Sequence, residues 1–69
     1  MINEDSKKLG KNVRKIRTQN NITQEEIANI LGVDRSFVSN IENGKNNPTL
    51  STITNLAKAL KVSVEELFK

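Results

Sequence analysis

The chain has 69 residues, which reads as one small domain spanning 1–69. It contains neither cysteine nor histidine, so disulfides, thiolate metal sites and the commonest general base and metal ligand are excluded together. No acid–base set converges in what remains, so no enzyme activity, metal or cofactor is expected, and the net charge of +3 is compatible with nucleic acid without demonstrating it.

Helical periodicity dominates. Leu9, Val13 and Ile16 form an i, i+4, i+7 stripe that predicts a first amphipathic helix over about residues 6–19, ending at Asn20 and Asn21. Gly10 weakens it by roughly 1 kcal/mol against alanine. Thr23 and Glu26 make a capping box that opens a second helix, residues 24–31, burying Ile27, Ala28 and either Ile30 or Leu31. Gly32 stops it in the left-handed conformation helix ends favour. Asp34 is the N-cap expected for a third helix running to about Asn43, with Val38 and Ile41 inward and Gly44 at its end. Thr49 caps a fourth, with Leu50, Ile53, Leu56, Ala57 and Leu60 on the inward stripe. Ser63 and Glu66 form a second capping box opening a short fifth helix, 64–68. No alternating stretch competes as a strand, so the expected fold is all-α, with five helices.

Charge is uneven along these elements. Lys7, Lys8, Lys11, Arg14, Lys15 and Arg17 fall between Ser6 and Ile22 with no acid among them, whereas the next segment carries Glu25 and Glu26. No apolar run approaches the ~18 residues of a membrane span, and "MINEDSKKLG" has no signal-peptide core. A cytoplasmic protein with no membrane partner is expected.

The second and third helices are joined by Gly32, Val33 and Asp34. Two short helices with a glycine in a three-residue turn are the helix-turn-helix signature, here over residues 24–43. Ala28 is small where the helices cross, and Ile27, Leu31, Val33, Val38 and Ile41 supply the apolar contacts. Turning Val38 and Ile41 inward turns residues 35, 36, 39, 40 and 43 outward. An α-helix fits the major groove of DNA, and its N-terminal residues meet base edges. That accounts for a polar face on so short a helix.

The run "TQEEIANILGVDRSFVSNIENGKNNPTL…LAKALKVSVEEL" resembles the Cro/C1-type (XRE-like) helix-turn-helix regulators of phage and bacteria, over nearly the whole chain. Within that family "VDRSFVSNIE" is similar to the controller proteins of restriction–modification systems. The resemblance implies a compact five-helix, lambda-repressor-like DNA-binding domain. It also implies a phosphate contact for Gln24, and a structural ion pair of Arg17 with Glu42 beneath the motif, which makes Glu42 unlike a DNA contact.

Arg35 is the first candidate base reader, since its planar fork matches guanine O6 and N7, the alternative being a solvated or phosphate-binding arginine near the helix start. Ser36 and Ser39 contact a base or a phosphate, or only keep the face short. Asn40 either pairs with adenine or is a surface residue. Phe37 lies on the DNA backbone or a thymine methyl, or packs partly into the core. Asn43, Lys45, Asn46 and Asn47 follow in a polar loop suited to clamping phosphate, or serving as a soluble turn. Leu60, Val62, Val64, Leu67 and Phe68 are more apolar bulk than one chain is expected to bury, so a homodimer through the last helix is expected, the alternative being that they only close the monomer core. A dimer places two reading helices about 34 Å apart on a palindromic operator. The expected function is therefore sequence-specific binding of double-stranded DNA to repress or activate transcription, in contact with RNA polymerase through Glu25 where it activates. A stand-alone repressor of another operon, or an interaction module such as an antitoxin, is the competing reading.

Overall fold

The computed structural model describes residues 4–69 and folds them as four α-helices and a terminal 3-10 helix, with no strand among the described residues. Residues 1–3, part of the expected 1–69 domain, lie outside the described residues. The helices are α1 (Glu4–Gln19), α2 (Gln24–Leu31), α3 (Arg35–Glu42) and α4 (Leu50–Leu60), followed by the 3-10 helix Val64–Phe68. The expected fifth α-helix is thus corrected to a 3-10 turn. Five residues barely close one α-helical turn, and tighter i to i+3 bonding is common in such short terminal pieces. Only one half of the box expected there forms, with Ser63 Oγ accepting from the Glu66 N–H at a long 3.4 Å.

The other ends follow the capping chemistry more closely. Thr23 Oγ1 accepts from the Glu26 N–H at 3.1 Å, and Glu26 Oε1 accepts from the Thr23 N–H at 3.0 Å. Thr49 Oγ1 accepts from the Thr52 N–H at 3.2 Å and starts α4. Asp34 stands at the N-cap of α3 with extended backbone, but its carboxylate makes no cap bond. The Phe37 N–H is bonded instead to the Asp34 carbonyl, at 3.0 Å. Gly44, at φ 69, closes α3: its N–H reaches Ile41 O at 3.0 Å and the Lys45 N–H reaches Asn40 O at 2.9 Å. That is a Schellman closure, in which a left-handed residue turns two N–H groups back onto orphan carbonyls. Lys61 plays the glycine's part after α4, at φ 59.

Leu9, Val13, Ile27, Ala28, Val38, Ile41, Ile53, Leu56, Ala57, Leu60 and Leu67 form the core. Leu50, expected inward, is 74% exposed, and Ile30, one of the two alternatives for the inward position at the end of α2, is 63% exposed. Of the alternatives at the end of α2, Leu31 packs against the core and Ile30 turns to solvent. Leu50 is the first residue of α4 and precedes the buried stripe of Ile53, Leu56, Ala57 and Leu60.

Two of the five residues expected at a dimer surface are also relocated. Leu67 is fully buried and Leu60 nearly so within one chain. The 3-10 helix folds back onto α1, where Asn12 Nδ2 donates to Leu67 O at 2.9 Å, so the chain covers both leucines itself. Val62, Val64 and Phe68 remain half-buried.

α1 crosses the end of α3 at Gly10. A Cβ on Gly10 would stand 2.3 Å from Ile41 O and 2.7 Å from Glu42 O. The glycine, expected only to weaken α1, is what lets the two backbones touch.

Candidate nucleic-acid interface

The interface is built on α3 and braced from beneath. Val38 and Ile41 are buried, so the opposite side of α3 is presented outward. Arg35, Ser36, Asn40 and Asn43 are exposed there and Ser39 is half-buried. Asn43 Nδ2 lies 3.4 Å from Ser39 Oγ, one turn back. Phe37 packs partly against the core, one of its two expected placements, and also lines a shallow concavity with Ser36, Asn40, Asn46 and Asn47. Asn46 Nδ2 reaches Phe37 O at 3.5 Å, a weak contact. Lys45 and Asn47 are exposed beside it.

Beneath this face, Arg17 Nε donates to Glu42 Oε2 at 2.6 Å and Arg17 Nη2 to Oε1 at 3.0 Å, a fork-to-fork ion pair. Arg17 Nη1 also donates to Ile22 O at 2.8 Å, so one side chain ties α1, the turn after it and α3. The Glu42 side chain is 1% exposed, and a carboxylate so placed needs every one of its bonds.

The resemblance did not foretell what joins this pair to the outer face of α3. Gln24 Nε2 donates to Glu42 Oε1 at 3.0 Å, and Arg35 Nη1 donates to Gln24 Oε1 at 3.0 Å. The Gln24 amide therefore has one satisfactory orientation, since a carboxylate takes only its NH2 and a guanidinium only its oxygen. Arg35 is thus tethered through Gln24 to the buried pair, while its Nε–Nη2 edge stays free for a bidentate contact. Periodicity places residues 24 and 35 on different helices and carries no sign that they meet.

No group of histidine, cysteine, aspartate or glutamate among the described residues could hold a metal ion, and no helix among them is long and apolar enough to cross a membrane.

Helices joined at Gly32, with a polar outer face on the second, define a helix-turn-helix DNA-binding module. The helix-turn-helix family model matches residues 13–67, and the chain belongs to that XRE-like family of DNA-binding transcriptional regulators. It is 46% identical over 59 residues to the control protein C.SmaI of Serratia marcescens, covering 86% of this chain and 70% of that protein. The crystal structure of the restriction–modification controller protein C.AhdI from Aeromonas hydrophila matches with a TM-score of 0.89 at 39% identity, over 96% of this chain and 100% of that one. The C.Esp1396I controller, as a tetramer in complex with its natural 35 base-pair operator, matches with a TM-score of 0.81 at 28% identity, over 97% and 99%. These relatives are regulators rather than enzymes.

Proposed function

We propose that the protein is a controller of a restriction–modification operon, binding a palindromic double-stranded DNA operator as a homodimer in the cytoplasm. The observation that carries the DNA-reading part is the tethered Arg35: a guanidinium is held at the start of an outward-facing helix by a relay ending in a buried ion pair. A side chain ordered before it meets its ligand loses less freedom on binding, and arginine at that position suits guanine in the major groove. Ser36, Ser39 and Asn40 complete the reading face. Gln24, Phe37, Asn43, Lys45, Asn46 and Asn47 hold the backbone. The likeness to C.SmaI and C.AhdI supports the controller assignment.

The test is selection from a library of random duplexes. The expected product is a palindrome with half-site centres about one helical turn apart, present upstream of the protein's own gene and beside genes for a methyltransferase and an endonuclease. Recovery of duplexes with no shared sequence would overturn DNA reading. A shared palindrome in front of an unrelated operon would replace the controller assignment by a stand-alone repressor.

A further inference from the structure

α1 is gripped on two sides. On one side Gly10 brings its backbone against the end of α3, where an added Cβ would stand 2.3 Å from Ile41 O. Arg17, about two turns on, holds Glu42 from the same side, with Nε 2.6 Å from Oε2. Successive helical residues turn by about 100°, so Asn12, two past Gly10, points to nearly the opposite side. There its Nδ2 donates to Leu67 O at 2.9 Å. Leu67 is fully buried, but apolar burial has no direction and leaves a short element free to roll about its plug. A hydrogen bond does have direction. The last carbonyls of a helix find no partner within it, so this bond also satisfies Leu67 O. The Asn12 amide has one satisfactory orientation, because turned over it would set Oδ1 against the Leu67 carbonyl, acceptor to acceptor. Lys8, Lys11 and Lys15 line a concavity with Asn12, and their donor-only ammonium groups favour the oxygen on that side as well.

We infer that Asn12 is a positioning residue for operator spacing: its bond fixes the angle of the 3-10 helix Val64–Phe68 on α1, and with it the distance between the two reading helices of a dimer. This rests on the palindrome-reading homodimer proposed above. Val64 and Phe68, half-buried on that 3-10 helix, belong to the proposed dimer contact. α3 is fixed to the other side of α1, so α1 is the frame that carries one to the other. Symmetry doubles any error, because an isologous contact repeats the same tilt in the partner. A tilt of about 5° across the 21 Å of one protomer moves its reading helix by about 2 Å and the pair by about 3.4 Å, one base-pair step. Asn12 itself meets neither the DNA nor the partner; it acts through Leu67.

The experiment measures binding of the wild type, Asn12→Ala, Asn12→Asp and Asn12→Gln to four duplexes: the palindrome preferred in selection, the same palindrome with its half-sites moved one base pair closer or farther apart, and an isolated half-site. The wild type is expected to favour the selected spacing by about tenfold over either shifted one, on the order of 1.4 kcal/mol. Asn12→Asp keeps the size of the side chain and removes the donor. With it, and with Asn12→Ala, the gap should narrow to about threefold or less, through weaker binding at the selected spacing, while half-site affinity and the base preference within each half-site stay at wild-type values. Asn12→Gln retains a donor and should recover most of the gap. A purely structural role would lower half-site affinity as well, so half-site binding separates the two. If Asn12→Ala melts below the assay temperature, Asn12→Asp carries the comparison. A folded Asn12→Asp protein with the wild-type spacing profile overturns the inference, as does an equal loss on the half-site, and in both cases palindrome reading by the wild type still stands. If the wild type prefers no palindrome, the proposed function falls and takes this inference with it.

Discussion

At the scale of single residues, Gly10, Arg35 and Glu42 carry the sharpest consequences. Helix propensity alone favours alanine over Gly10 by roughly 1 kcal/mol. The 2.3 Å approach to Ile41 O reverses that preference, because a backbone carbonyl cannot step aside as a flexible side chain can. Gly10→Ala should lower stability by about 1–3 kcal/mol net, the usual cost of overpacking, seen as a lower urea midpoint. Glu42→Ala should cost about 3–5 kcal/mol, since it leaves Arg17 mostly buried and unpaired. Arg35→Ala should flatten the base-preference profile at one position of each half-site, a discrimination of ~1–3 kcal/mol. Lys45→Ala should weaken all duplexes alike. A profile that survives Arg35→Ala would reassign the reading role. The ion pair of Arg17 and Glu42 was legible only through the family resemblance. The Gln24 bridge was not, because a contact between two helices depends on how they cross.

At the scale of elements, caps and stops were the most readable features. Thr23 with Glu26, Thr49, Gly32 and Gly44 each act through bonds to their near neighbours in sequence. Inward faces were less secure at helix ends: the periodicity that places Ile53 and Leu56 also pointed to Leu50, which lies 74% exposed. The last element misled most. "VEELF" carries a capping signal but folds as a 3-10 turn, and its Leu67 fills the core between neighbours far away in sequence. Leu67→Ala should therefore cost about 2–5 kcal/mol of monomer stability, as for other buried leucines cut to alanine. Thermal melting at low protein concentration checks this. A loss that appears only at concentrations where dimers form would return Leu67 to the interface.

At the scale of the whole molecule, size limits what one copy can do. The described chain measures 26 × 21 × 19 Å, shorter than the ~34 Å between half-sites on one face of a duplex. Two copies are needed to read a palindrome. With Leu60 and Leu67 committed to the core, the proposed contact rests on Val62, Val64 and Phe68. Val64→Asp should shift sedimentation toward the monomer at micromolar concentration and weaken binding to the full palindrome by tenfold or more, on the order of 1.4 kcal/mol. Binding to an isolated half-site should change little. An unchanged sedimentation profile would move the interface elsewhere on the surface.

The bond from Arg35 to Gln24 also bears on how such a protein acquires a new operator. Replacing the arginine with a side chain that accepts rather than donates leaves the glutamine oxygen facing another acceptor, with its NH2 still held by Glu42. At this exposed bond water has to replace the lost donor, so a compensating change at position 24 is favoured rather than required. Lineages that drift to a different recognition sequence should show paired replacements at these two sites.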